Sequence, residues 1–105
     1  MLVVQAFAGN ETKTADKLFK QKGEYENALQ EYKKVLESAT NKAYVNAQIG
    51  ECYRLSNRIS EAAPFYKAAL DLNYKADSIL FQYAFSLKAS GQYADAKAAF
   101  KNYAS

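Results

Sequence analysis

GEYENA at 23–28, NRISEA at 57–62 and GQYADA at 91–96 begin 34 residues apart each time. The same offset carries Phe19 onto Tyr53 and Leu87, and Ala15 onto Ile49 and Tyr83. It also carries Tyr32 onto Tyr66 and Phe100, and Val35 onto Ala69 and Tyr103. Six columns matched without slip define an internal repeat. A 34-residue period with a turn signal in its middle reads as a helix–turn–helix solenoid.

The helices follow from the punctuation. Pairs are predicted at about 12–21 and 25–38, at 42–55 and 60–72, and at 76–89 and 93–103. Gly23 and Gly91 supply turn conformations that cost other residues, and Asn57 is the next best residue for such a place. Large side chains recur at helical spacing, as in Leu18, Phe19, Leu29, Tyr32 and Leu36, and again in Ile49, Tyr53, Phe65, Tyr66 and Leu70. Gly50 and Ala84, with Ala28, Ala62 and Ala96, stand where the helices of a pair would cross closely. One pair cannot bury its apolar face alone; three stacked pairs can. Pro64 lies off the pattern, and its missing N–H predicts a helix that starts at Ser60 as N-cap or kinks in its first turn.

Composition narrows the chemistry. A chain of 105 residues, half of them hydrophobic and about a quarter charged, makes one compact domain. It has no histidine, which removes His-based acid–base catalysis, Ser-His and Cys-His nucleophile pairs and the common His-containing zinc sites. The single cysteine, Cys52, reads as a buried core thiol. The glycines are isolated, so there is no phosphate-cradling loop. Glu24, Glu26, Asp16, Asp71, Asp77 and Asp95 read as solvated charge in turns and on polar helix faces. No catalytic residue, metal site or cofactor is expected. Net charge is +3, and of the basic residues only Arg54 and Arg58 are arginine. Lysines interleaved with acids argue against a nucleic-acid partner.

Met1–Ala8 reads MLVVQAFA, an apolar run ending small-x-small before the polar residues at 9–12. It is expected to be a signal-peptide remnant or an ordered apolar arm. No stretch is long enough to span a bilayer, so no direct membrane insertion is expected of this segment.

Over roughly residues 9–105 the pattern resembles the tetratricopeptide repeat family. The resemblance rests on the Gly-x-Tyr-x-x-Ala turns, the small Gly50 and Ala84, the aromatics Tyr32, Tyr53, Tyr66 and Phe100, and the alanine columns. It implies an all-α, right-handed α-solenoid of three repeats, about 9–42, 43–76 and 77–105. From the apolar Ala96, Ala99, Phe100 and Tyr103 of the last helix, a stack lacking a C-terminal capping helix is expected. Thr12, Asn46 and Leu80 replace the early tryptophan of the family, Asp16 replaces a small residue, and Thr40 and Tyr74 replace the inter-repeat proline. The run from Phe81 to Lys97, with Tyr53–Arg58 before it, is similar to the N-terminal repeat segment of Bacteroidetes outer-membrane-associated proteins. Those continue into a β-propeller and an OmpA-like domain, and some serve type IX secretion and gliding.

The family resemblance also implies a partner-binding concave face lined by the first helix of each pair. Its residues here would be Lys13, Lys17 and Lys20, then Tyr44, Gln48, Glu51 and Arg54, then Phe81, Gln82, Phe85 and Lys88. The three lysines share one helical stripe, and Phe81 and Phe85 share another. Gln48, Ser78 and Gln82 stand where the subtype that clamps a chain-terminal carboxylate needs asparagine and basic residues, so that subtype is not expected. The reading is a non-enzymatic protein- or peptide-binding scaffold, placed by the resemblance in a periplasmic or outer-membrane complex; the alternative is a cytoplasmic adaptor. Self-association through the N-terminal arm or the open C-terminal face is a further expectation. Far-UV circular dichroism should show strong helical minima and almost no strand; a β-dominated spectrum would end the solenoid reading.

Overall fold

The computed structural model describes residues 11–104, so the arm at 1–8 lies outside the described residues. Among these, six helices follow one another with no strand: α1 (Lys13–Lys20), α2 (Tyr25–Val35), α3 (Lys42–Leu55), α4 (Ala63–Asp71), α5 (Asp77–Ala89) and α6 (Tyr93–Ala104). Each helix packs chiefly on its neighbours in sequence, and the body is elongated at 44 × 28 × 21 Å. That is the quasi-one-dimensional architecture of an α-solenoid.

The repeated turns form as their residues require. Gly23, Asn57 and Gly91 take left-handed backbone conformations, with φ of 64°, 61° and 82°. Asn57 tolerates this region because its short polar side chain lowers the cost. Behind Asn57, the Arg58 N–H bonds the Tyr53 carbonyl at 2.8 Å, and the Asn57 N–H bonds that of Arg54 at 3.2 Å. Behind Gly91, Gln92 bonds Leu87 at 2.9 Å in the same way. These reversed bonds satisfy the last carbonyls of α3 and α5 and fix where the next helix begins.

Two boundaries differ from the sequence expectation. The helix expected to reach residue 38 ends at Val35, and 36–38 form a turn. There the Lys42 ammonium bonds the carbonyls of Glu37 at 2.5 Å and Ala39 at 3.3 Å, closing a junction that lacks the family's proline. Ser60 is not the N-cap of the fourth helix; it lies inside a 3-10 turn at Ile59–Glu61, and α4 starts at Ala63. Pro64 then falls in the first turn of α4, where an N–H has no intrahelical partner to lose. The start expected at Ser60 is thus moved to Ala63, and the residues before it form the 3-10 turn, which packs on both α3 and α5.

The main core joins the first two pairs and the start of α5. Leu29, Tyr32, Val45, Ile49, Cys52 and Tyr66 are fully buried there. A smaller cluster of Ala63, Ala84, Leu87, Ala96 and Ala99 holds the third pair, with Tyr83 and Phe100 packed against it. Gly50 lets α3 and α4 approach: a Cβ on it would stand 2.6 Å from Cε1 of Tyr66. Gly50→Ala should therefore cost about 1–3 kcal/mol, despite alanine's better helix propensity. In a domain this size each kcal/mol lowers Tm by about 4–8 °C, so a melt followed by circular dichroism reads the effect. An unchanged Tm would mean the crossing is looser than described.

Candidate functional site

Every predicted groove residue lies on α1, α3 or α5, the first helices of the three pairs. On α1, Lys13, Lys17 and Lys20 are exposed and, with Asp16 and Gln21, line a recess of about 280 Å³. Asp16 itself is not the solvated acid expected from sequence. It is half-buried, and its carboxylate accepts hydrogen bonds from the Thr12 hydroxyl at 2.9 Å, the Tyr44 hydroxyl at 2.7 Å and the Tyr32 hydroxyl. Thr12 and Tyr44 come from α1's N-terminal turn and from α3, so one acid ties two pairs together. The Lys20 ammonium sits 5.9 Å from the centroid of the Tyr44 ring.

Gln48 does not line the surface. It is buried, and its amide donates to the Tyr32 hydroxyl at 3.2 Å. A groove position was expected there, but the Asp16 network draws the side chain inward. Burial, then the Asp16 bond, pushes the Tyr32 hydroxyl far above the usual phenol range, and the same two causes raise Tyr44. Both hydroxyls are thereby held in their protonated, donating form beside the carboxylate. Among the described residues, no buried side-chain nitrogen or oxygen lacks a partner.

The middle of the face is internally compensated. Glu51 forms an ion pair with Arg54 and accepts from the Tyr66 hydroxyl at 2.8 Å. The bond to Glu51 raises Arg54 above its ordinary value, holding it charged. Directly behind, Cys52 is fully buried, and burial followed by the charge of Glu51 pushes its thiol up to about 12. It is an inert core thiol, as expected from the sequence.

The α5 end is aromatic. Phe81 meets Phe85, Phe100 and Tyr103 at centroid distances of 5.8, 5.7 and 5.4 Å, and Phe85 meets Phe100 at 6.3 Å. Neither phenylalanine is part of the buried core, although both rings touch Phe100. Phe85 and Tyr103 nevertheless remain 44 % exposed. Lys88 is exposed with its ammonium 5.9 Å from the Phe85 centroid, and Gln82 is half-buried.

A profile of the tetratricopeptide repeat family matches residues 17–42 and 43–75, more than half of the chain. The chain belongs to the tetratricopeptide repeat family. No curated protein and no solved structure matches it. Tetratricopeptide repeats are protein–protein interaction modules and generally non-enzymatic scaffolds. No helix among the described residues is long and apolar enough to cross a membrane. The Asp16 network is the feature sequence reasoning missed, although a clue lay in the column: Tyr32 and Tyr66 carry hydroxyls that a packing ring does not need. Asp16→Ala should cost about 1–3 kcal/mol by leaving the buried Tyr32 hydroxyl without its acceptor, and Asp16→Asn less, since one oxygen remains. Urea unfolding of both variants measures this; equal stability of Asp16→Ala and the unaltered chain would remove the network from the fold's support.

Proposed function

We propose that this tetratricopeptide module is an adaptor that takes a segment of a partner protein along the face of α1, α3 and α5. The observation that carries the reading is a division of that face. At one end Lys13, Lys17 and Lys20 stand exposed, and none of them forms an ion pair among the described residues. At the other, the Phe81–Phe85 pair offers an exposed aromatic surface. Between them the Glu51–Arg54 pair is already neutralised. A partner suited to this face carries acidic residues at one end and an aromatic or aliphatic anchor at the other.

The apolar run Met1–Ala8 and the similarity to Bacteroidetes envelope proteins support a placement in a periplasmic or outer-membrane complex. Cell fractionation of the native protein tests that placement, and recovery in the cytoplasm would favour a cytoplasmic adaptor reading a peptide tail.

Partner capture with the folded chain, followed by mass spectrometry, identifies the ligand. Against it, Phe81→Ala with Phe85→Ala should weaken binding about tenfold, as losses above about 1 kcal/mol at aromatic anchors imply. Replacing Lys13, Lys17 and Lys20 by alanine should flatten the dependence of affinity on salt. Titration calorimetry at two ionic strengths reads both effects. Equal affinity of the double variant and the unaltered chain would move the site off this face.

A further inference from the structure

The columns that bury one repeat against the next change character at the third repeat. The column of Leu29 and Ala63 is 1 % and 4 % exposed in the first two repeats, where these residues pack in the clusters that α3 and α5 complete. Its third member is Lys97, which is exposed. The column of Tyr25 and Ile59, half-buried in both earlier repeats, ends in Tyr93 at 68 % exposure. The third aromatic of the Tyr32–Tyr66 column, Phe100, is half-buried and has no hydroxyl. Lys88, Tyr93, Ala96, Lys97 and Phe100 together line a recess of about 340 Å³ between the end of α5 and the start of α6.

A lysine in this column decides what the recess can receive. Seating an all-apolar helix there, as α3 seats on α2, would strip water from the Lys97 ammonium without giving it a partner. A second copy docked end to end would bring two sets of Lys88 and Lys97 together, and like charges repel. The walls are nevertheless apolar, with Phe100, Ala96 and the ring of Tyr93. Neither Lys88 nor Lys97 forms an ion pair among the described residues, and the Lys88 ammonium leans toward the Phe85 ring. A group with a carboxylate beside an apolar side chain satisfies both the lysines and the walls.

We propose that this recess is a second binding site, adjoining the α1–α3–α5 face at Lys88 but built chiefly from α6, for a partner segment in which a glutamate or aspartate adjoins a leucine- or phenylalanine-sized side chain. The ammonium groups of Lys88 and Lys97 hold the carboxylate, and the apolar side chain lies against Phe100 and Ala96. The site can be tested apart from the rest of the longer face, because Tyr93, Ala96, Lys97 and Phe100 all belong to α6 and only Lys88 is shared.

The test is an amide NMR titration of the full chain with N-acetyl-glutamyl-phenylalanine amide, set against its uncharged glutaminyl counterpart. Saturable shifts should gather on Lys88, Tyr93, Ala96, Lys97 and Phe100. The glutaminyl probe should bind about fivefold more weakly or worse, as should the charged probe to Lys97→Glu. Lys97 is exposed, so this variant should keep the melting temperature of the unaltered chain, which is checked first. A variant with Lys13, Lys17 and Lys20 replaced by alanine should bind the charged probe as before. Equal affinity for the two probes, or shifts that gather on α1, would overturn the end site; shifts on α1 would leave the longer face as the binding surface. Shifts at these residues that grow with protein concentration alone would overturn it in favour of a second copy.

Discussion

The ring of Tyr66 lies where a side chain at Gly50 would have to be, and the fold turns on that crossing. The first two pairs lay one aromatic residue of the second helix across one position of the first, Tyr32 over Asp16 and Tyr66 over Gly50. In the third, the corresponding Phe100 packs on the cluster that holds Ala84. The backbone arrangement repeats, but the chemistry at the crossing does not. In the first pair the aromatic hydroxyl meets a carboxylate, in the second it reaches past glycine to Glu51, and in the third a bare ring meets Phe81 and Phe85. The crossing thus sets both how closely helices pack and what the neighbouring surface presents.

From this follows the graded character of the face formed by α1, α3 and α5. Asp16 is consumed by hydroxyl donors, which leaves the surrounding lysines as the outward charge of α1. Glu51 is consumed by Arg54 and Tyr66, so the centre presents little net charge. The α5–α6 end presents aromatic rings instead, with Phe85 and Tyr103 exposed. A tetratricopeptide stack recognises partners through such surface chemistry, since the backbone scaffold is shared by unrelated members.

Much of the fold was legible because the repeat states it three times. A left-handed turn at Gly23, Asn57 and Gly91 can be read from residue type alone, and each places two helices. The buried columns follow from helical spacing. What escaped was pairing between polar groups distant in sequence. Asp16 looked like a departure from a small-residue column, and only the placement of Tyr32 and Tyr44, 16 and 28 residues on, reveals it as their common acceptor. Gln48 was assigned to the surface by its position and withdrawn from it by the same network. Ser60 resembled an N-cap, yet the 3-10 turn before Pro64 took over that work. Local rules describe a residue's backbone well; they do not report which side chain arrives from another helix.

The crossing can be tested apart from everything else by a double-mutant cycle on stability. Glycine to alanine inside a helix ordinarily stabilises by up to about 1 kcal/mol. With Tyr66 in place, Gly50→Ala should instead destabilise, because the new methyl group meets the ring. With Tyr66→Leu already introduced, the same change should become neutral or stabilising. That reversal of sign, read from urea unfolding of the four proteins, is the result this account predicts. An equal cost of Gly50→Ala in both backgrounds would show that the ring of Tyr66 does not govern the approach of α3 and α4.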